Sequence, residues 1–299
     1  MLKFNINMFQ NYRLIVKRLF HILVNNPIFF IKRIFIELKS FVLPMPKLAI
    51  VKKINGVLFD FNFGYSDKIK QMYFGNYQPI ISEIIKKYLK KGDTFIDVGA
   101  SIGYFSAVAA GYVGESGQVH SFEPAQEYYQ KIDALSKMNS QYNIVANQLA
   151  LGEKEELSKI YIEGPSDIGN NTFFPDLFGA DIKNDKFVQV PVHRLDSYIK
   201  EKGLNNIKLI KIDVEGFEFP VLKGLSGYFA ECSKAGLCPP IICEIVPSAY
   251  PYSGCKLQDL LDYMDKFSYH PFEIFNTQKR MSINKIEKET IIDVLFLNK

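Results

Sequence analysis

From Thr94 onward the chain alternates short apolar runs with amphipathic stretches, the pattern of a strand–helix–strand protein. Phe95, Ile96 and Val98 predict a first strand, and Tyr104–Val113 a helix with apolar residues on most faces. Gln118–Phe122 reads as the second strand, stopped by Pro124, which cannot continue a central ladder. Ala125–Lys137 carries Tyr128, Ile132 and Leu135 on one helical stripe, and Ile144–Leu149 is a third strand. Lys159–Glu163 and Phe187–Val192 alternate like two paired strands around a polar loop, Gly164–Lys186. Ile207–Ile212 and Pro240–Val246 are further strands, with Pro220–Leu225 helical between them. Leu257–Phe267 is an amphipathic helix; Tyr269–Phe275 and Ile291–Leu297 form a last strand pair, joined by a charged, solvated connection over Asn276–Glu289.

The chain ahead of Thr94 is different. Leu48–Ile50 and Val57–Phe61 read as a hairpin turning at Asn55-Gly56. Asp67–Phe74 is a short helix, and Pro79–Lys90 an amphipathic one that ends at Gly92. In the first 45 residues Lys3, Arg13, Lys17, Arg18, Lys32, Arg33 and Lys39 face a single acid, Glu37. Charges interrupt every apolar run before it reaches the roughly 18 residues of a spanning helix, and no small-residue cleavage site follows. Two basic amphipathic helices broken near Asn25-Asn26-Pro27 fit this stretch, with Pro44-Met45-Pro46 as linker. Such helices suit a membrane surface, a partner protein or a cap on the following domain. The expected division is an extension over residues 1–46, a lead-in over 47–93 and the main domain over 94–299.

Composition narrows the class. The chain has 299 residues, 47% of them hydrophobic, enough for one large core with extensions. Net charge is +4, and no basic block interleaved with aromatics lies outside the N-terminus, so no nucleic-acid partner is expected. The four cysteines, Cys232, Cys238, Cys243 and Cys255, form no metal-ligand spacing. They read as free thiols in a reducing compartment, which predicts a cytoplasmic protein.

The chemistry concentrates at Thr94–Ser106, T-F-I-D-V-G-A-S-I-G-Y-F-S. Strand, glycine turn and helix make a ligand crevice in an α/β protein, because the helix start points backbone N–H groups at it. Asp97 is a carboxylate inside an apolar strand, costly without a partner. The dinucleotide fingerprint fails, with Ser101 and Tyr104 at its second and third glycine positions. Gly99-Ala100-Ser101-Ile102-Gly103 does satisfy the hydrolase elbow G-x-S-x-G. Glu123, at the tip of the next strand, argues against it: an acid about 20 residues beyond a glycine turn is placed to grip ribose hydroxyls. Later in the chain, Lys211, Asp213 and Glu215 share the alternating face of the strand Ile207–Ile212 and its end. Asp213 and Glu215 are base candidates, or share a cation or Lys211; His193 is a further base candidate, histidine being a side chain suited to proton transfer near neutral pH. Glu244 is another strand-end carboxylate, and Asn170, Asn171 and Thr172 offer donors suited to sugar hydroxyls.

F-I-D-V-G-A-S-I-G-Y-F-S, S-F-E-P and I-K-I-D-V-E-G-F-E at Ile210–Glu218, in this order, resemble the FkbM-type S-adenosylmethionine-dependent methyltransferases over roughly residues 62–246. One departure is Ser101, where the family usually carries Asn. The resemblance implies a Rossmann-like α/β fold: a seven-stranded methyltransferase sheet with helices on both faces. It implies S-adenosylmethionine as cofactor, held by Asp97, Gly99, Ala100, Ser101, Gly103, Glu123, Pro124 and Ala150, the last at the adenine edge. Tyr77 would lie over cofactor or substrate. Asp213, Glu215 and His193 form the catalytic set, and no metal is assigned. The expected reaction is O-methylation of a hydroxyl on a small-molecule or glycan acceptor. Membrane contact or partner docking would run through residues 1–43, and a homo-oligomer is compatible with them. Two other classes stay open: a hydrolase with Ser101 as nucleophile, and a non-catalytic module that keeps the fold for interaction.

Overall fold

The computed structural model describes Ile31 and residues 34–36, 38–39, 42–44, 50–62, 66–161, 171–174 and 187–299. The chain divides into two compact units, residues 1–50 with 61–79, and residues 51–60 with 80–299. In the first unit, the described N-terminal residues Ile31, Phe35, Leu38 and Val42 leave their apolar side chains exposed. No described helix is long and apolar enough to cross a membrane. The expected break at Asn25-Asn26-Pro27 and most of the basic stretch lie outside the described residues. Helix α1 (Asp67–Phe74) starts on a Ser66 side-chain cap and ends at Gly75 in the left-handed region.

The second unit begins with β1 (Val51–Ile54) and β2 (Val57–Asp60), antiparallel around Asn55 and Gly56, both at positive φ. The hairpin's first strand is Val51–Ile54, polar at Lys52-Lys53 because it is mostly exposed; of the expected strand Leu48–Ile50, residues 48 and 49 lie outside the described residues. Asn139 fastens the hairpin to the main unit, accepting from Leu58 N (2.8 Å) and donating to Leu58 O (2.8 Å). Helix α2 (Pro79–Tyr88) follows.

The main sheet is built from β3 (Thr94–Val98), α3 (Tyr104–Val113), β4 (Gln118–Phe122), α4 (Gln126–Met138) and β5 (Asn143–Asn147). A small second sheet takes β6 (Ala150–Leu151), β7 (Glu156–Tyr161) and β8 (Phe187–His193), in the order β6-β8-β7. The chain returns through α5 (Leu195–Glu201) to β9 (Ile207–Ile212). It continues through α6 (Glu218–Lys223), α7 (Ser226–Ala235), β10 (Ile241–Ile245), a 3₁₀ stretch (Pro247–Ser253) and α8 (Leu257–Asp265). β11 (Tyr269–Glu273), β12 (Asn276–Arg280), α9 (Ile283–Ile286) and β13 (Ile292–Asn298) complete it.

Eight strands lie in the order β12-β11-β13-β10-β9-β3-β4-β5. β5, β4, β3, β9 and β10 run parallel; β13 is inserted antiparallel between β10 and β11. The seven-stranded α/β sheet that the resemblance implies is present, with an eighth strand, β12, added at the edge. β12 corrects the reading of Asn276–Glu289 as a solvated connection: its Asn-Thr-Gln-Lys-Arg sequence is polar because its side chains are half or fully exposed.

A second correction concerns the cysteines. Cys232, near the end of α7, and Cys238 form a disulfide with Cα atoms 4.9 Å apart. Gly236 takes the left-handed conformation that ends α7 and turns the chain back, so two cysteines that sequence spacing left unpaired meet. Cys243 and Cys255 remain free thiols. The cysteines therefore lend no support to a reducing compartment.

The strand order places β3 at the point where connections reverse. From β3 the chain steps outward through β4 to β5, then comes back to β9 on the other side of β3. Ligands in open α/β sheets bind at the carboxyl ends of the strands at such a switch point.

Candidate active site

β3 is buried at all five positions and hydrogen-bonded on both sides, which is why Thr94–Val98 reads as an apolar run. Within the ladder, Asp97 stands opposite Ser121 of β4 and Lys211 of β9. Its Oδ2 accepts from Ser106 Oγ of α3 at 2.6 Å, and Ser106 in turn accepts from Ser121 Oγ at 2.8 Å. Its Oδ1 is buried and has no hydrogen-bond partner among the described residues. Burial pushes the Asp97 carboxyl up, opposed by the Lys211 ammonium and the Ser106 hydrogen bond.

The turn after β3 is wound tightly. Phe122 O accepts from both Gly99 N and Ala100 N at 3.0 Å, and Ala100 O accepts from Gly103 N at 2.8 Å. Gly99 has φ +76°, and a Cβ there would stand 1.8 Å from the Asp213 carbonyl oxygen. Glycine thus lets the ends of β3 and β9 close on each other. Gly103 has φ +81° and opens α3 against Leu135 of α4. Ser101 holds φ +49°, a strained value for a non-glycine residue.

Glu123 explains how Ser101 is held. Its Oε2 accepts from Ser101 N at 2.9 Å and its Oε1 from Ala125 N at 3.0 Å. Burial pushes its carboxyl up to about 7, with the two backbone donors pulling the other way. Each carboxylate oxygen has a second lone pair, so these bonds leave Glu123 able to accept from a ligand hydroxyl. Sequence reasoning anticipated the carboxylate at the strand tip but missed its grip on the glycine turn. Pro124 follows at the end of β4. Ala150, expected at the adenine edge, lies in β6, buried in a small cluster with Ile160, Val190 and Val192.

The end of β9 carries the second half of the site. Asp213 N donates to Val98 O at 3.0 Å, and Lys211 Nζ lies 2.8 Å from Asp213 Oδ2. Glu215 has φ +50° and Gly216 φ +102°, so the chain reverses sharply there. Gly216 N donates to Glu218 Oε1 at 2.7 Å; burial pushes the Glu218 carboxyl up to about 8. Carboxylate oxygens of Asp213, Glu215 and Glu244 of β10 all lie within 4.8 Å of one another. Burial, then the charges of Asp213 and Glu215, raise Glu244 well above the usual carboxylate range. Like charges this close favour a shared proton. Lys211 faces Asp213 from the end of β9. Beside it, Thr172 Oγ1 donates to Glu215 O at 3.2 Å, while Phe173 stacks on Phe217 at 4.0 Å and Phe174 lies against Tyr252 at 6.4 Å.

The structure thus brings Asp213 and Glu215 together with Glu244, which joins the predicted pair. His193, the third candidate base, is paired differently: its half-exposed ring lies 3.5 Å from Glu155. The other described histidines are also engaged, His120 with Tyr198 and Gln118, His270 with Asp265 and Arg280. Among the described residues no histidine hydrogen-bonds to the Ser101 hydroxyl, so the elbow motif lacks its base. Asn170 lies outside the described residues. Tyr77 belongs to the other compact unit.

The orphaned Asp97 oxygen, the Glu123 carboxyl and the closed turn fit a ligand with a cationic head and adjacent hydroxyls, as S-adenosylmethionine has. The model of the methyltransferase FkbM domain matches residues 97–271, more than half of the chain. Methyltransferase 1 of Beauveria bassiana is 29% identical over 148 residues, covering 44% of this chain and 59% of that protein. The protein-L-isoaspartate O-methyltransferase of Methanococcus aeolicus is 32% identical over 150 residues, covering 48% of this chain and 66% of that protein. The match with the first of these spans about three-fifths of that relative's length. The solved FkbM methyltransferase from Methylobacillus flagellatus superposes with a TM-score of 0.38 at 15% identity, over 79% of this chain and 56% of that one. The motif set at the switch point and the matched domain agree: the chain belongs to the FkbM methyltransferase family.

Proposed function

We propose that this protein is an S-adenosylmethionine-dependent O-methyltransferase acting on a hydroxyl of a sugar, glycan or other small molecule. The observation that carries the reading is the buried, unpartnered Asp97 Oδ1 beside the Gly99–Gly103 turn, with the Asp213–Glu215–Glu244 trio across the same strand ends. An unsatisfied buried oxygen costs about 1–3 kcal/mol, which a ligand ammonium would recover.

S-adenosylmethionine, when bound, supplies an electrophilic methyl group on its sulfonium. Asp97 accepts from the ammonium, and Glu123 accepts from ribose hydroxyls while it holds Ser101 N in place. The trio receives the acceptor's hydroxyl proton, and a group already sharing one proton is suited to take and release another. Positioning is the larger task, worth up to about 7–11 kcal/mol, and a base adds about 10²–10⁴-fold. Phe174 and the exposed Tyr252 ring offer aromatic faces beside carboxylates, a combination that suits a polyhydroxylated ring.

The test is transfer of radiolabelled methyl from S-adenosylmethionine to a panel of glycosides and polyols. The proposal expects a label that survives mild alkali and is identified by mass spectrometry as a methyl ether. An alkali-labile label, the mark of a carboxyl methyl ester, would overturn the hydroxyl assignment.

A further inference from the structure

The Asp97 side and the Asp213 side of the site meet at one buried cation. Lys211 lies next to Asp97 in the parallel β3–β9 ladder, and its side chain is almost wholly buried. Its Nζ is 2.8 Å from Asp213 Oδ2 and 5.1 Å from the centre of the Phe105 ring of α3. On its other side Lys211 is registered with the apolar Ile242 of β10. The groups around Asp97 are Lys211 and Asp213 from the end of β9, Ser106 from α3, Ser121 from β4 and Glu123 from the tip of β4. Lys211 is the cation among these; the others are neutral or acidic.

We propose that Lys211 is the positioning residue that keeps Asp97 anionic for the cofactor's ammonium and divides its charge between Asp97 and the acceptor-side Asp213. This rests on the methyltransferase reading above. A carboxylate enclosed by β3, β4 and α3 is disfavoured as an anion unless a cation lies near, and a nearby opposite charge typically lowers a carboxyl pKa by 1–3 units. Burial and Lys211 act on Asp97 in opposite directions, and burial is the larger. The ammonium of a bound cofactor would add a second cation at the unpartnered Oδ1. Asp213 competes for Lys211, so the ionisation of Asp97 depends on what faces Asp213. Through Asp213 the cation also reaches Glu244, whose carboxyl is hydrogen-bonded to Asp213.

The test is calorimetric binding of S-adenosylhomocysteine, which carries the same ammonium, between pH 5.5 and 8, on the full chain. Three variants are compared: Lys211→Met, Lys211→Arg and Asp213→Asn. In wild type, binding weakens toward acid pH as Asp97 and Glu123 take up protons, and the Lys211 and Asp213 variants read out the Asp97 part. Lys211→Met should move that acid limb upward by about one pH unit or more. Lys211→Arg should restore it. Asp213→Asn removes the acid that competes with Asp97 for the cation and should move the limb downward, a result that stands even if Lys211→Met fails to fold. A loss of affinity in Lys211→Met that is the same at every pH would mark a merely structural residue and overturn the proposal. So would an unmoved limb in Asp213→Asn. Absence of binding by wild type at every pH would instead remove the methyltransferase reading itself.

Discussion

Replacing Gly99 with alanine tests the closest approach in the site. At φ +76° a side chain meets the left-handed penalty, about 1–2 kcal/mol for an L-residue. The new methyl would also stand 1.8 Å from Asp213 O and 3.2 Å from Val214 Cγ1. The first contact is with backbone, which cannot swing away, so the ends of β3 and β9 must separate. Forcing extra volume into a packed site costs roughly 1–3 kcal/mol. Together these give about 2–5 kcal/mol, or a fall in Tm of about 4–10 °C for a chain of this size. The separation would also shift Asp97 from Lys211 and loosen the turn that Glu123 pins. Thermal denaturation followed by circular dichroism reads the first effect, and calorimetric titration of S-adenosylhomocysteine the second. A Gly99→Ala protein that melts within about 1 °C of wild type and binds within twofold would refute the reasoning, because the strand ends would then have room for a methyl group.

Three further outcomes follow from the same geometry. The Glu123 carboxyl, raised to about 7 in the folded protein, binds its proton more tightly there than in the unfolded chain. Its contribution to stability is therefore full below pH 4.5 and lost as pH rises through about 7, a swing of about 3 kcal/mol. Urea unfolding of Glu123→Gln at pH 5 and pH 8 should lack that part of the wild-type change; an equal change in both proteins would contradict it. A serine-directed fluorophosphonate should leave Ser101 unlabelled, since no described histidine activates it, and peptide mapping that finds the adduct would reopen the hydrolase reading. The Cys232–Cys238 disulfide closes a short loop, so the double serine variant should lose about 2 kcal/mol and keep its cofactor affinity. Loss of binding in that variant would tie the disulfide to the crevice.

The central strands and the cofactor turn were legible because local signals agreed. Apolar runs at Thr94–Val98, Gln118–Phe122 and Ile207–Ile212 are each bounded by glycine, proline or acid, and each is central in the sheet. Edge strands were not legible. β1 and β12 face water, so their lysines and asparagines carry no period that sequence alone could read as a strand. The carboxylate trio joins residues 213, 215 and 244 through the pairing of β9 with β10, a tertiary fact with no sequence spacing of its own. Glu123 shows the intermediate case. Its position was readable from the strand stop at Pro124, but its bond to Ser101 N depends on how the turn folds back over β4. The small second sheet was hidden for a related reason: β5 ends at Asn147, and the chain leaves the main sheet for Ala150–Leu151 with no local signal to mark the change.

The most direct measurement is calorimetric titration of S-adenosylmethionine into wild type and Asp97→Asn. Losing a charged hydrogen bond of about 1.5–3 kcal/mol, the variant should bind roughly 10- to 100-fold more weakly than wild type while melting as a folded protein. A wild-type protein that does not bind S-adenosylmethionine, or an Asp97→Asn variant that binds it as tightly, would contradict the account.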